Sequence, residues 1–205
     1  MDLLALYLKA AGFGLAVAAP VGPMSVLCMR RSLTQGWQFG LATGLGIAVA
    51  DAAYAVVAAL GLASVSAFLL AYEQPLHLAA GLFLIWLGVK TFLTRDPGTS
   101  AEAGGAASVG TAFGSSLLLT LTNPPTIIMF AAIFTALAPR SGFDPLTALW
   151  TVAGVFSGSL LWWCGMVAVV SALRHAIGAK ARRWIDRVAG VGLIAFGTVE
   201  VRRAV

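Results

Sequence analysis

The sequence predicts an all-α membrane protein of six transmembrane helices, laid out as two inverted three-helix repeats with helices 1 and 4 broken by proline. Three observations carry this. The chain is 60% hydrophobic and only 10% charged, with a mean hydropathy of +0.92, where a soluble domain carries about 25% charged residues. Its apolar residues fall into six stretches near the length that spans a bilayer. Two of those stretches are interrupted by proline near their middles, Ala19-Pro20-Val21-Gly22-Pro23-Met24 and Thr122-Asn123-Pro124-Pro125-Thr126.

The spans cover roughly 3–29, 39–62, 76–92, 111–137, 146–173 and 188–201, the last near the lower limit for crossing a bilayer. The first has no clear basic flank and no small-residue cleavage site after it, so it is expected to be a retained helix. Trp37, Trp86, Trp150 and Trp184 lie near span ends, as interfacial anchors do. The domain division is a first repeat over 1–97, a flexible Gly/Ala/Ser linker over 98–110 and a second repeat over 111–205.

The net charge of +5 comes from basic residues in short connections and does not point to nucleic acid. Arg30 and Arg31 fall in the first connection, Lys90 and Arg95 in the third, and Arg174, Lys180, Arg182, Arg183 and Arg187 in the fifth. Those are nine of the 13 Lys and Arg; Lys9, Arg140, Arg202 and Arg203 fall on the other side. The positive-inside rule then places the odd connections in the cytoplasm and both termini outside an inner membrane. Arg30 and Arg31 are expected to set topology rather than to bind a ligand.

The repeat is visible in spans three and six. Positions 80–88 and 189–197 share five of nine residues, including Gly81 with Gly190 and Gly88 with Gly197. Spans one and four share the break, and spans two and five share glycine spacing, Gly40 and Gly44 against Gly154 and Gly158. A three-span unit repeated in tandem inserts its second copy upside down, with binding expected near the midplane between halves. Chance similarity of apolar segments is the alternative.

Proline removes a backbone donor and leaves carbonyls free. In lipid this is tolerable only where protein or a water-filled cavity satisfies them. Pro20, Gly22, Pro23, Pro124 and Pro125 therefore outline a broken-helix site, unless each break only shapes packing. Asp51, about 18 Å along span two, lies near the midplane. A carboxyl there costs at least a few kcal/mol and usually marks an ion or proton pathway. It is expected to be the one acid at that depth, trading a proton for a cationic part of a substrate; a protonated structural carboxyl is the alternative.

Gly40 and Gly44 let another helix approach closely, and Tyr54, about one turn beyond Asp51, could bond its carboxyl, line a cavity or simply pack. Asn123 is the second polar residue at this depth and, preceding Pro124, is pushed out of helical geometry. A helix restarting after a break offers free N–H groups and a positive dipole end, natural partners for a carboxylate. Asp51 facing an amino group and a broken-helix N-terminus facing a carboxylate would suit a zwitterionic amino acid.

Other residues say less. Trp162 and Trp163 either line the path or face lipid. Thr120, Thr122, Thr126, Ser157 and Ser159 bond either substrate or their own helix backbone. His77 and His175 look interfacial. Cys28 and Cys164 form no CxxC and are expected to be small core residues. An aspartyl protease would need paired carboxylates and a zinc protease HExxH, so an intramembrane enzyme is not supported.

These motifs resemble the LysE/RhtB family of amino-acid exporters. The resemblance rests on the two break motifs, on Gly44-Leu45-Gly46 followed by Asp51 and Tyr54, and on the Gly81/Gly88 and Gly190/Gly197 patterns. It covers nearly the whole chain. It implies a six-helix inner-membrane exporter driven by the proton gradient, with functional weight on Pro20, Gly22, Pro23, Asp51, Asn123 and Pro124. Many members have Pro-Gly-Pro where this chain has Val21-Gly22-Pro23, and Asn-Pro-Lys where it has Asn123-Pro124-Pro125.

The expected partners are a small amino-acid substrate, protons and the bilayer, with no cofactor, metal site or nucleic acid and with a homodimer left open. An inorganic-cation exporter of the same fold is the alternative function. One deep acid favours a neutral substrate, because a basic side chain would want a second anion near Asp51.

Overall fold

The computed structural model describes residues 2–20, 22–59, 72–93, 108–123, 126, 130, 144–173 and 179–204. Val21, Arg95, Pro124, Pro125, Arg140, Arg174, His175 and the linker as far as residue 107 lie outside them. The described residues form helices α1 (Leu3–Ala18), α2 (Pro23–Thr34), α3 (Trp37–Ala59), α4 (Glu73–Phe92), α5 (Val109–Leu121), α6 (Pro145–Leu173) and α7 (Ala179–Ala204). By length and apolar composition α3 and α6 can each cross a membrane, and α1 with α2 pass the same test together as a pair bent by 82°, the geometry of a broken span or a re-entrant loop.

Local chemistry sets the helix starts. Asp2 accepts from the Leu4 amide, Ser108 from the Thr111 amide, and Asp144 from the Leu146 and Thr147 amides. Each satisfies donors that a helix N-terminus leaves free. Hydrogen bonds from Thr147 hold the exposed Asp144 carboxyl below its ordinary range. Pro145 follows it at the first helical position, where a missing N–H costs nothing. By contrast α2 starts at Gly22 and Pro23 with no side-chain cap.

Two expected boundaries change. Span one does not end at residue 29: α2 runs on to Thr34, so Arg30 and Arg31 lie inside a helix rather than in a connection. The link to α3 is only Gln35 and Gly36. Gly36 adopts φ 115°, a left-handed turn that glycine takes without strain, and its amide bonds back to the Arg31 carbonyl. The short sixth span is part of a 26-residue helix, α7, whose basic first turns lowered its apparent hydropathy.

Glycine governs how closely the helices approach. A Cβ at Gly44 would fall 2.5 Å from Trp163 Cβ on α6. One at Gly40 would crowd Ser32 and Val167, and one at Gly46 would lie 2.5 Å from the Phe113 carbonyl of α5. Gly154 and Gly158 meet Tyr7, Ala10 and Ala11 of α1. Helices α4 and α7 touch backbone to backbone: Gly81 sits on Gly197 and Gly88 on Gly190, with a Cβ at any of the four 2.6–2.9 Å from the opposing carbonyl. The pair is therefore antiparallel.

Polarity runs inside out relative to a soluble protein. Leu8, Leu82, Leu118, Leu149, Leu161 and Val188 are exposed, while Thr43, Asp51, Ser116 and Ser159 are buried. That distribution suits an apolar solvent. Cys28 is buried and Cys164 half-buried, both as free thiols. Trp37, Trp86 and Trp184 are largely exposed.

Gly158→Ala should lower stability by about 1–3 kcal/mol, because the added methyl overlaps the Ala11 carbonyl with backbone on both sides. Gly192→Ala, with open space around the position, should be neutral or mildly stabilising. Thermal melts of the two purified variants in detergent compare them directly.

Candidate functional site

Each break leaves backbone groups to be satisfied. At the first, Pro23 has no N–H to return to the Ala19 carbonyl, and the Ser25 hydroxyl donates to the Pro20 carbonyl at 3.3 Å. At the second, residues 124 and 125 would normally donate to the carbonyls of Thr120 and Leu121. Both are proline, which carries no amide hydrogen wherever it lies. The Tyr54 hydroxyl of α3 takes that place, donating to Leu121 O at 2.7 Å with Thr120 O at 3.4 Å. Its ring stacks on Phe130, centroids 5.5 Å apart. Tyr54 therefore bonds the break itself; the structure places no hydrogen bond between it and Asp51.

Asn123 turns back on its own break. Its amide donates to Thr120 O at 3.1 Å, and its side-chain Nδ2 donates to Thr126 Oγ1 at 2.8 Å. Asp51 is 2% exposed and accepts from the Ser159 hydroxyl of α6 at 2.7 Å. Of the other hydroxyls, Thr122 and Ser157 bond their own helix carbonyls, and Ser157 also accepts from Tyr7.

The breaks and Asp51 border one cavity of about 400 Å³, within the ~300–1,000 Å³ of ordinary ligand sites. Pro20, Gly22, Pro23, Met24 and Ser25 line it from the first break, and Thr120, Asn123 and Thr126 from the second. Ile47 and Asp51 come from α3, Trp163 from α6, and Phe196, Val199, Glu200 and Arg203 from α7. Gly40 and Gly44, Gly81 and Gly88, and Gly190 and Gly197 are not among the lining residues; they hold helices together. Trp163 is 2% exposed, and its indole N–H has no acceptor among the described residues.

Four groups were missed by sequence reasoning. Asp51 is joined at the cavity by a second acid, Glu200, near the end of α7. His77 is buried inside the protein, with Nδ1 bonded to Glu200 Oε2, and Glu200 Oε1 accepts from Arg203 Nη1 at 3.5 Å. Arg30 is buried and donates to Asp186 of α7 at 2.9 Å. Arg31, also buried, donates to Thr43 Oγ1, the Ala112 carbonyl and Ser115 Oγ at 2.9–3.0 Å. A signal was available: Glu200 follows Leu193 and Gly197, and His77 precedes Gly81, Leu84 and Gly88, at the three- and four-residue spacing of one buried helix face.

The two ionic clusters lie at opposite ends of the bundle. Asp186 and Glu200 are 14 residues apart on α7, about 21 Å. At the Glu200 end lies the cavity. At the Asp186 end, Arg30 and Arg31 cross-link α2 to α7, α3 and α5, and neither lines the cavity. Chemically, the cavity offers carboxyls to a cation, and offers a guanidinium, an indole N–H and the uncapped first turn of α2 to an anion, between apolar walls.

A helical bundle with an apolar exterior, long apolar helices and a mixed-charge cavity beside its two proline motifs defines an α-helical integral membrane protein. Residues 15–203 match the model of the LysE type translocator family, and the chain belongs to that family. Its members are transporters rather than enzymes. The chemotactic transduction protein ChpE of Pseudomonas aeruginosa is 36% identical over 84% of this chain and 86% of its own length. The putative amino acid efflux protein YcgF of Bacillus subtilis is 28% identical over 90% and 89%. The threonine efflux protein of Escherichia coli is 25% identical over 95% and 97%. No solved structure matches the chain.

Tyr54→Phe keeps the ring against Phe130 but leaves the Leu121 carbonyl without its donor, and should cost about 1–3 kcal/mol in a detergent melt. Arg30→Ala strands Asp186 and should cost about 3–5 kcal/mol, whereas the double change Arg30→Met, Asp186→Leu should recover most of that loss in the same assay.

Proposed function

We propose that this protein is a secondary transporter that exports amino acids or close analogues from the cytoplasm across the inner membrane. The cavity at the two helix breaks carries the reading. Asp51, held by Ser159, faces the same space as the uncapped N-terminus of α2. An ammonium at Asp51 and a carboxylate at that positive helix end are complementary to an amino acid. The efflux proteins among its relatives support the same substrate class.

Asp51 couples export to protons in this proposal, releasing its proton when the ammonium arrives and taking one when it leaves. Asn123 orders the second break through Thr126 and presents it to the cavity; Tyr54 supports that break from behind, by way of the Leu121 carbonyl.

Six spans in two inverted halves provide the frame, joined by the linker. The reciprocal contacts of Gly81 with Gly197 and Gly88 with Gly190 support it. Gly81 corresponds to Gly190 and Gly88 to Gly197 in the repeat, so a two-fold axis in the membrane plane generates both contacts at once. The odd connections face the cytoplasm and the termini lie outside. The Arg30–Asp186 and Arg31 cross-links then close the cytoplasmic end and part when the cavity opens that way.

Export of an inorganic cation is less well supported. Hard cations want several oxygen ligands, commonly more than one carboxylate. Glu200 is already engaged by His77 and Arg203, and among the described residues no three His, Cys, Asp or Glu side chains converge.

The test is exchange and pH-gradient-driven uptake in proteoliposomes, with a panel of radiolabelled amino acids. The wild type should accumulate at least one of them when a pH gradient is imposed. Asp51→Asn should lose the gradient-driven component. Failure of the wild type to move any amino acid overturns the function, and unchanged gradient dependence in Asp51→Asn removes Asp51 from coupling.

A further inference from the structure

We infer that Arg203, in the last turn of α7, joins the N-terminus of α2 in binding the substrate's carboxylate, and that the cavity therefore selects free α-amino acids with uncharged side chains. The inference rests on the amino-acid reading above and names the substrate class. Arg203 is the cationic side chain among the described lining residues. It is 54% exposed, and its partner among the described residues is a single Glu200 oxygen at 3.5 Å, a long and weak bond for a guanidinium. A guanidinium carries five donors in a planar fork that matches a carboxylate, and one long bond to Glu200 uses little of that capacity.

The charges in the cavity then close. Glu200 Oε2 is bound by His77 of α4, which holds that carboxylate in place and takes it out of competition for a substrate cation. Asp51, bonded among the described residues by the neutral Ser159 hydroxyl, is left for the ammonium. Arg203 is left for the carboxylate. The space between is lined by Ile47, Trp163, Phe196 and Val199, with no further charge among the described residues for a charged side chain. A basic side chain would have to take Glu200 from His77.

Exchange in proteoliposomes tests this with the best-transported amino acid of the panel and with its carboxamide, which keeps the ammonium and loses the carboxylate charge. The wild type should prefer the acid over the carboxamide by about tenfold or more. Arg203→Gln should raise the KM for the acid by a similar factor and leave that for the carboxamide unchanged. Arg203→Lys should restore part of the preference, showing that charge and not folding is at issue.

Arg202→Gln, which removes an exposed neighbouring charge outside the cavity, should behave as wild type. If the wild type moves amino acids but Arg203→Gln keeps the preference, the inference falls and the amino-acid reading stands. A wild type that carries lysine or arginine in preference to neutral amino acids overturns the selectivity. A wild type that exchanges no amino acid overturns both.

Discussion

In a bilayer a backbone carbonyl released by proline has no water to turn to, and this requirement organises the centre of the molecule. Pro124 and Pro125 release two successive carbonyls at the end of α5, and a single hydroxyl from α3 meets them. For Tyr54 to reach Leu121, α3 must lie against α5 at that level, which the bare backbone of Gly46 permits. The same helix then carries Asp51 to Ser159 on α6, because Gly44 lets Trp163 come up to its surface. The cavity is what remains between helices that are positioned to satisfy the breaks.

The buried charges add a second layer of constraint. Arg30 with Asp186 and His77 with Glu200 both fasten α7, one near each end. Pairs of this kind contribute little net stability, since both partners lose their water, but they penalise any register that leaves one of them unpaired. Glycine contacts are permissive of several registers, so the charged pairs supply the discrimination that small residues cannot.

Much of this was legible in the chain. Hydropathy gave the helical membrane class, the prolines marked the breaks, and Asp51 stood out as a carboxyl in an apolar run. The rest was hidden for identifiable reasons. Arg30, Arg31, His77 and Glu200 lie near span ends, where charge is expected to meet water or lipid headgroups, and hydropathy does not say which face of a helix a residue occupies. Helix α2 continues past its apolar part, so its arginines looked like loop residues. Tyr54 is one turn from Asp51, and sequence proximity pointed to that neighbour rather than to a carbonyl 67 residues away. The missing lysine at position 125 had left the site without an evident cation; α7 brings one from the far end of the chain.

The backbone contact between α4 and α7 has a mechanical consequence. With glycine on both sides at two levels, no flexible side chain lies between the main chains to absorb sliding or tilting there. These two helices behave as one beam. Asp186 and Glu200 sit on that one helix, so a rigid shift of α7 at the Arg30 contact would carry the His77 contact with it rather than leave the two ends to adjust separately.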